Sequence, residues 1–189
     1  MNRLLPGLAA LLLVGCSDVP TETADPAVSP SFSHQAGSPS SHVFLVTLQE
    51  LNGSGVEAQA TLRVTDEELI VRLNAVGLVS GQLHPQHIHG FSDAASTCPT
   101  SAQDTDGDGI ITIGEGSAAF GPVQVDLQPY PTPANAAAAA PYERAFDLDD
   151  VPFAASELTQ KTMVVHGAFV DGAYVASLPV ACGFVEALH

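Results

Sequence analysis

The chain has 189 residues, with 21 Asp and Glu against 5 Lys and Arg and a formal net charge of −16. That balance excludes nucleic acid as a partner, because phosphate binding needs a basic patch. An acidic surface attracts cations and repels anions.

The first residues read MNRLLPGLAALLLVGC. Arg3 supplies a positive start, and Leu4 to Val14 form an apolar stretch. The stretch is too short to cross a bilayer, which takes about 20 apolar residues. Residues 1–15 therefore read as a secretion signal. Leu13-Val14-Gly15-Cys16 resembles a lipobox, which implies cleavage before Cys16 and lipid on its thiol. Acyl chains on one residue hold a protein at a membrane surface without a spanning helix. The expected location is the cell envelope, at the outer membrane or cell surface. Residues 17–41 are rich in Ser, Pro and Thr and cannot bury enough surface to fold. They read as a tether. Residues 42–189 remain as one domain of ordinary size. With Cys16 taken by lipid, Cys98 and Cys182 are an even pair in an exported chain, and a disulfide is expected.

Within the domain, His42–Leu48 reads as a strand. Residues 58–64 and 69–73 flank Thr65-Asp66-Glu67-Glu68 and read as a hairpin. Further strands are expected at 86–91, 123–127, 144–148, 162–165 and 176–185. Residues 128–141 carry three prolines near their start and five alanines before Pro141. They read as a long loop, since Pro141 would stop any helical turn. Little helical periodicity is present elsewhere. About eight short strands between turns predict an all-β fold, a Greek-key antiparallel sandwich or barrel with long loops.

His87-Ile88-His89 lies on one of these strands. Residues two apart on a strand face the same side, so two imidazoles can grip one ion. His166 closes the run Met163-Val164-Val165 and offers a third ring.

Residues 77–93, GLVSGQLHPQHIHGFSD, resemble the GLxxGLHGFHVHEFGD segment of the Cu,Zn superoxide dismutases, with one extra residue before Leu83. Cys98 stands where that family has its first disulfide cysteine. Thr162-Met163-Val164-Val165-His166 and Val180-Ala181-Cys182-Gly183-Phe184-Val185 match two later family segments, the second with the other cysteine. The resemblance covers about residues 55–187 in the right order. It implies a β-sandwich, and it places His87, His89 and His166 on copper-ligand positions, which would be the catalytic centre. Imidazole suits copper. His84 falls on a non-ligand histidine of the family. It either orients a ligand from behind or is a hydrogen-bonded core histidine.

The pattern also breaks. Asp104 stands where the family bridges copper to zinc with histidine, and residues 105–165 contain no histidine. A zinc site of the family type is not expected. Pro179 stands where the family has an arginine that guides superoxide, and no Lys or Arg lies beyond Lys161.

Residues 104–115 read DTDGDGIITIGE, the calcium loop of EF-hands. Asp104, Asp106 and Asp108 would supply carboxylate oxygens and Ile110 its carbonyl. Thr112 would act directly or through water, and Glu115 would close the shell with both oxygens. Gly109 permits the sharp turn, and Ile111 would anchor the loop to the core. The flank after Cys98-Pro99 is too short for an entering helix, so an isolated calcium loop is expected in place of the zinc.

The resemblance implies dismutation of superoxide to oxygen and hydrogen peroxide by bound copper. Against turnover stand the missing bridging histidine, the missing arginine and the acidic charge. A copper-capture module without turnover uses the same residues. A third reading is a calcium-stabilised structural domain, since His-Ile-His-Gly and Gly121-Pro122-Val123 are also similar to chordin-type domains. The expected partners are metal ions, superoxide if the centre is active, and the membrane through Cys16.

Overall fold

The computed structural model describes residues 41–188. The secretion signal, Cys16 and the tether up to residue 40 lie outside them. Strand β1 (His42–Glu50) buries alternate residues Phe44, Val46 and Leu48. Strands β2 (Glu57–Val64) and β3 (Glu68–Val76) do the same with Ala58, Ala60, Leu62 and Val64 and with Leu69, Val71, Leu73 and Ala75. This alternation is what one buried face and one wet face require. The turn between β2 and β3 is held by the Thr65 hydroxyl, which accepts from the Glu67 and Glu68 N–H groups.

Strand β4 (Gln86–His89) lies between β5 (Val123–Asp126) and β7 (Thr162–Val170). Strand β8 (Ala173–Phe184) follows β7 and meets the end of β1 at Gln49↔Cys182 and Glu50↔Ala181. Strand β6 (Ala140–Asp147) pairs with β3, and the short β9 (Glu186–Ala187) pairs with β1. All pairs are antiparallel, in the order β5-β4-β7-β8-β1-β2-β3-β6. Neighbours distant in sequence, such as β4 with β7 and β3 with β6, give the Greek-key crossovers. The sheet curls around one apolar core that includes Leu62, Val71, Ile88, Met163, Val165 and Val180. The all-β expectation holds. The two ends of the sheet are bridged at Gln128, whose carbonyl accepts from the Tyr142 hydroxyl (3.3 Å) and the Arg144 guanidinium (2.7 Å).

A second, small apolar layer lies beside β7 and β8. Phe120, Val164 and Cys182 are buried there, with the half-buried Leu51 and Cys98 packed against them. A disulfide joins Cys98 to Cys182. It ties the long segment after β4 to strand β8.

Three local readings change. Strand β6 begins at Ala140, so Pro141 lies inside it rather than ending a loop. A proline is tolerated because β6 is the last strand of its sheet and one side needs no donor. Strands β7 and β8 meet over Asp171-Gly172, both at positive φ (49° and 80°), the backbone of a two-residue hairpin turn. Helix α1 (Ile113–Phe120) was not expected. Gly114, Gly116 and Ser117 hide its periodicity. It forms because the Thr112 side chain and Glu115 cap its first turn reciprocally, and because Gly116, Ala119 and Phe120 are buried.

The disulfide closes a span of 84 residues, for which chain entropy gives at most about 4–5 kcal/mol. Replacing Cys98 and Cys182 by Ser should lower the unfolding free energy by a large part of that amount, read from equilibrium urea unfolding, with a steeper slope because the unlinked denatured chain exposes more surface.

Candidate metal centre

His87 and His89 leave β4 on the face opposite Ile88, which is fully buried in the main core. His166 joins them from β7. The β7–β8 ladder shifts register on both sides of His166, a bulge that re-aims the side chain. Gly167 makes the bulge possible. Its φ is 109°, and a Cβ there would lie 2.1 Å from the Tyr174 hydroxyl oxygen and 3.0 Å from His84 Nδ1. The three rings stand 5.2 to 5.7 Å apart between centroids. One nitrogen from each lies within 4.8 Å of the others.

The back of each ring has a partner that fixes its tautomer. His89 Nδ1 lies 2.9 Å from the Gly121 carbonyl, and His166 Nδ1 lies 3.0 Å from the Ser177 carbonyl. A carbonyl only accepts, so both Nδ1 atoms carry the proton and both Nε2 atoms are bare. His87 is reversed. Its Nε2 lies 3.1 Å from the Tyr130 hydroxyl, which donates its own proton to Asp126. The hydroxyl oxygen is therefore the acceptor for His87 Nε2–H, and Nδ1 is bare. These three bare atoms, His87 Nδ1, His89 Nε2 and His166 Nε2, are buried without a hydrogen-bond partner. Orphaned buried polar atoms are rare and costly. Three converging on one point, each backed by an outer hydrogen bond, is the arrangement of a metal site. The donor set of three neutral imidazoles fits copper, zinc, iron or nickel.

Burial lowers the pKa of His89 to about 4, the Gly121 bond opposing and the His87 ring adding to it. Burial and the two neighbouring rings lower His166 to about 3. His87 is also lowered by burial, with Asp126 opposing. Burial and the Asp126 bond push the Tyr130 hydroxyl up to about 12, so it keeps its proton.

The rings open into a cavity of about 390 Å³ whose walls are mostly apolar: Pro85, Ile113, Val123, Tyr130 and Ala176 beside Ser177. No Lys or Arg lines it. Arg72 is paired with Glu143 at 2.8 Å, Arg144 stacks 4.7 Å from the Phe146 ring, and Lys161 is buried with its amine donating to the Phe91 carbonyl. Pro179 stands opposite His166 in the β7–β8 ladder.

His84 is fully buried. Its Nδ1 lies 2.9 Å from the His166 carbonyl and its Nε2 3.0 Å from the Val79 carbonyl. It holds the backbone of a ring-bearing residue, not a ring.

A second group forms at the acidic loop. Carboxylate oxygens of Asp104, Asp106 and Glu115 lie within 4.8 Å of one another. Asp108 is not among them; its Oδ1 accepts from the Ile110 N–H at 2.7 Å. Asp104 accepts from the Gly107 and Gly109 N–H groups, so it belongs to this loop and not to the histidines. Glu115 takes hydrogen bonds from the backbone N–H groups of Thr112 and Thr105, and from both hydroxyls, which lower its pKa to about 2. A 3-10 turn at Ser101–Gln103 stands where an entering helix would be. The buried Ile111 is gripped by Asn52. The Asn52 side chain accepts from the Ile111 N–H (2.8 Å) and donates to the Ile111 carbonyl (3.0 Å), the two bonds an antiparallel strand partner would exchange. The same amide nitrogen donates to the Pro179 carbonyl at 3.0 Å.

Helix α1 joins the two groups. Glu115 caps its first turn, and Gly121 ends it and holds His89. Phe120 packs 4.7 Å from the His89 ring.

The chain matches no protein-family model and no curated protein. All three histidines and the three clustered carboxylates are legible in the sequence. Tyr130, Asp126, Asn52 and the carbonyls of Gly121 and Ser177 are not. A tyrosine between two prolines reads as loop. Its one available signal is Asp126 four residues earlier, which β-pairing sets opposite His87.

The unfolded rings take protons near pH 6.5, whereas the folded His89 and His166 rings take them only near pH 4 and 3. Between about pH 6.5 and 3 the unfolded state therefore gains protons that the folded state does not, and stability falls with pH. Metal-stripped protein should lose urea resistance over that window, and His166→Gln should flatten the loss. A variant slope equal to the parent's would contradict the burial of a neutral ring.

Proposed function

We propose that His87, His89 and His166 hold copper in an exported domain related to the Cu,Zn superoxide dismutases, with the acidic loop holding calcium where those enzymes hold zinc. The observation that carries this reading is the convergence of three buried bare imidazole nitrogens, each backed by its own acceptor. Copper is favoured over other metals by the general order of affinities for nitrogen sites. When bound it would supply one-electron exchange with superoxide, two of which yield oxygen and hydrogen peroxide with uptake of two protons. The chain's own part is to keep three rings neutral, fix their tautomers, and shield them behind Pro85, Ile113, Val123 and Ala176. His84 keeps the bulge that aims His166.

One observation favours copper capture without turnover: the cavity has no cation to gather an anion. Export and a lipid on Cys16 belong to the same proposal. The disulfide agrees with an oxidising compartment. No helix among the described residues is long and apolar enough to cross a membrane.

Copper titration followed by a superoxide-decay assay separates the readings. Tight one-to-one binding with fast decay, lost in His87→Ala, is the result expected of a dismutase. Tight binding without decay would leave copper capture. No specific copper at all would leave a calcium-stabilised scaffold of the kind the chordin-type similarity implies.

Calcium has its own measurement. Saturation at about 100 times Kd stabilises a fold by about 2.7 kcal/mol. Calcium should raise the thermal midpoint, a chelator should reverse this, and Glu115→Gln should abolish the difference. A midpoint indifferent to calcium would remove it from the proposal.

A further inference from the structure

The back of His87 differs from the backs of the other two rings. Gly121 and Ser177 present neutral carbonyls, fixed by the backbone. Behind His87 stands a side-chain chain of hydrogen bonds that ends in a carboxylate. His87 Nε2–H donates to the Tyr130 hydroxyl at 3.1 Å, and Tyr130 donates to Asp126 Oδ1. The second oxygen, Asp126 Oδ2, accepts from the Gln128 amide at 2.7 Å. The backbone carbonyl of Gln128 accepts from the Arg144 guanidinium at 2.7 Å. Asp126 Oδ1 is itself 3.6 Å from His87 Nε2. Both carboxylate oxygens are engaged, so Asp126 is pinned, and the tyrosine has no freedom to send its proton elsewhere.

We propose that Tyr130 and Asp126 are positioning residues that tune the metal at His87, locking the ring with Nδ1 bare and making it the most electron-rich of the three donors. The physical reason is that a hydrogen bond to an anion-backed acceptor draws the Nε2 proton away from the ring and raises the basicity of the opposite nitrogen. A richer donor favours the more highly charged metal ion. The pair therefore strengthens Cu(II) more than Cu(I) and lowers the reduction potential of the centre. Outer partners of metal-bound histidines are worth about 10–100-fold in affinity. A tenfold loss confined to Cu(II) raises a one-electron potential by about 59 mV. Neither residue touches the metal position, and neither is needed for the core: Tyr130 is half-buried and Asp126 exposed.

The inference rests on the histidine centre holding copper, and the experiment keeps the two apart. Tyr130→Phe alone leaves Asp126 close enough to turn to His87, so the test is the double variant Tyr130→Phe with Asp126→Asn, beside Asp126→Asn alone. The first readout needs no metal: nitrogen NMR of the His87 ring. The parent should show one tautomer with the proton on Nε2, and the double variant a mixture. The second readout is separate titration with Cu(II) and Cu(I). The double variant should lose about 10–100-fold for Cu(II) and several-fold less for Cu(I), with Asp126→Asn between it and the parent. A double variant with a single unchanged tautomer, or with equal losses for both copper states, overturns the tuning role while leaving the copper site standing. A parent that binds no copper overturns both.

Discussion

An oxygen atom behind each of three imidazoles decides which nitrogen faces the cavity. For His89 and His166 that oxygen is a backbone carbonyl, and for His87 it is a tyrosine hydroxyl whose own proton is committed to Asp126. Without these partners each buried ring could satisfy one nitrogen or the other, and the centre would be a set of mismatched donors and acceptors. With them, the lone pairs are aimed before any ion arrives, so binding has little ordering to pay for in rotamer entropy. The low proton affinity of the rings follows from the same burial.

Each oxygen comes from a different part of the chain. Ser177 lies on β8, Tyr130 on the loop after β5, and Gly121 at the end of α1. Gly121 is a glycine by necessity: at φ 78°, a Cβ would stand 2.8 Å from the Gly90 carbonyl oxygen. Helix α1 thus reaches from the carboxylate group to the histidine group in eight residues. Asn52 makes a second link, holding Ile111 of the acidic loop and the carbonyl of Pro179 opposite His166. The acidic loop and the ring cluster are braced by the same few pieces of backbone.

The strands and the histidines were legible because both are written in short-range pattern. Alternation along β1, β2 and β3 and the two-residue spacing of His87 and His89 need no knowledge of the rest of the fold. Helix α1 was not legible, since its glycines weaken the period and its stability comes from a capping box and from Phe120 packing on Val164 and Cys182, far away in sequence. Pro141 misled because a proline stops a helix but not an edge strand. Backbone carbonyls leave no trace in a sequence, so two of the three oxygens could not have been found. Tyr130 could have been found only by knowing that Asp126 pairs with His87.

The ring of His87 faces the cluster through Nδ1, whereas His89 and His166 face it through Nε2. Nδ1 sits beside the ring carbon that bears Cβ, and Nε2 sits on the far side of the ring. Two donors therefore stand at long reach from their strands and one at short reach. Carboxamides have the same two reaches: the end of Asn overlays Nδ1, and the end of Gln overlays Nε2. A shape-preserving replacement is consequently Asn at the first histidine and Gln at the other two. Applying one substitution uniformly to all three would confound the loss of a donor with the loss of its geometry.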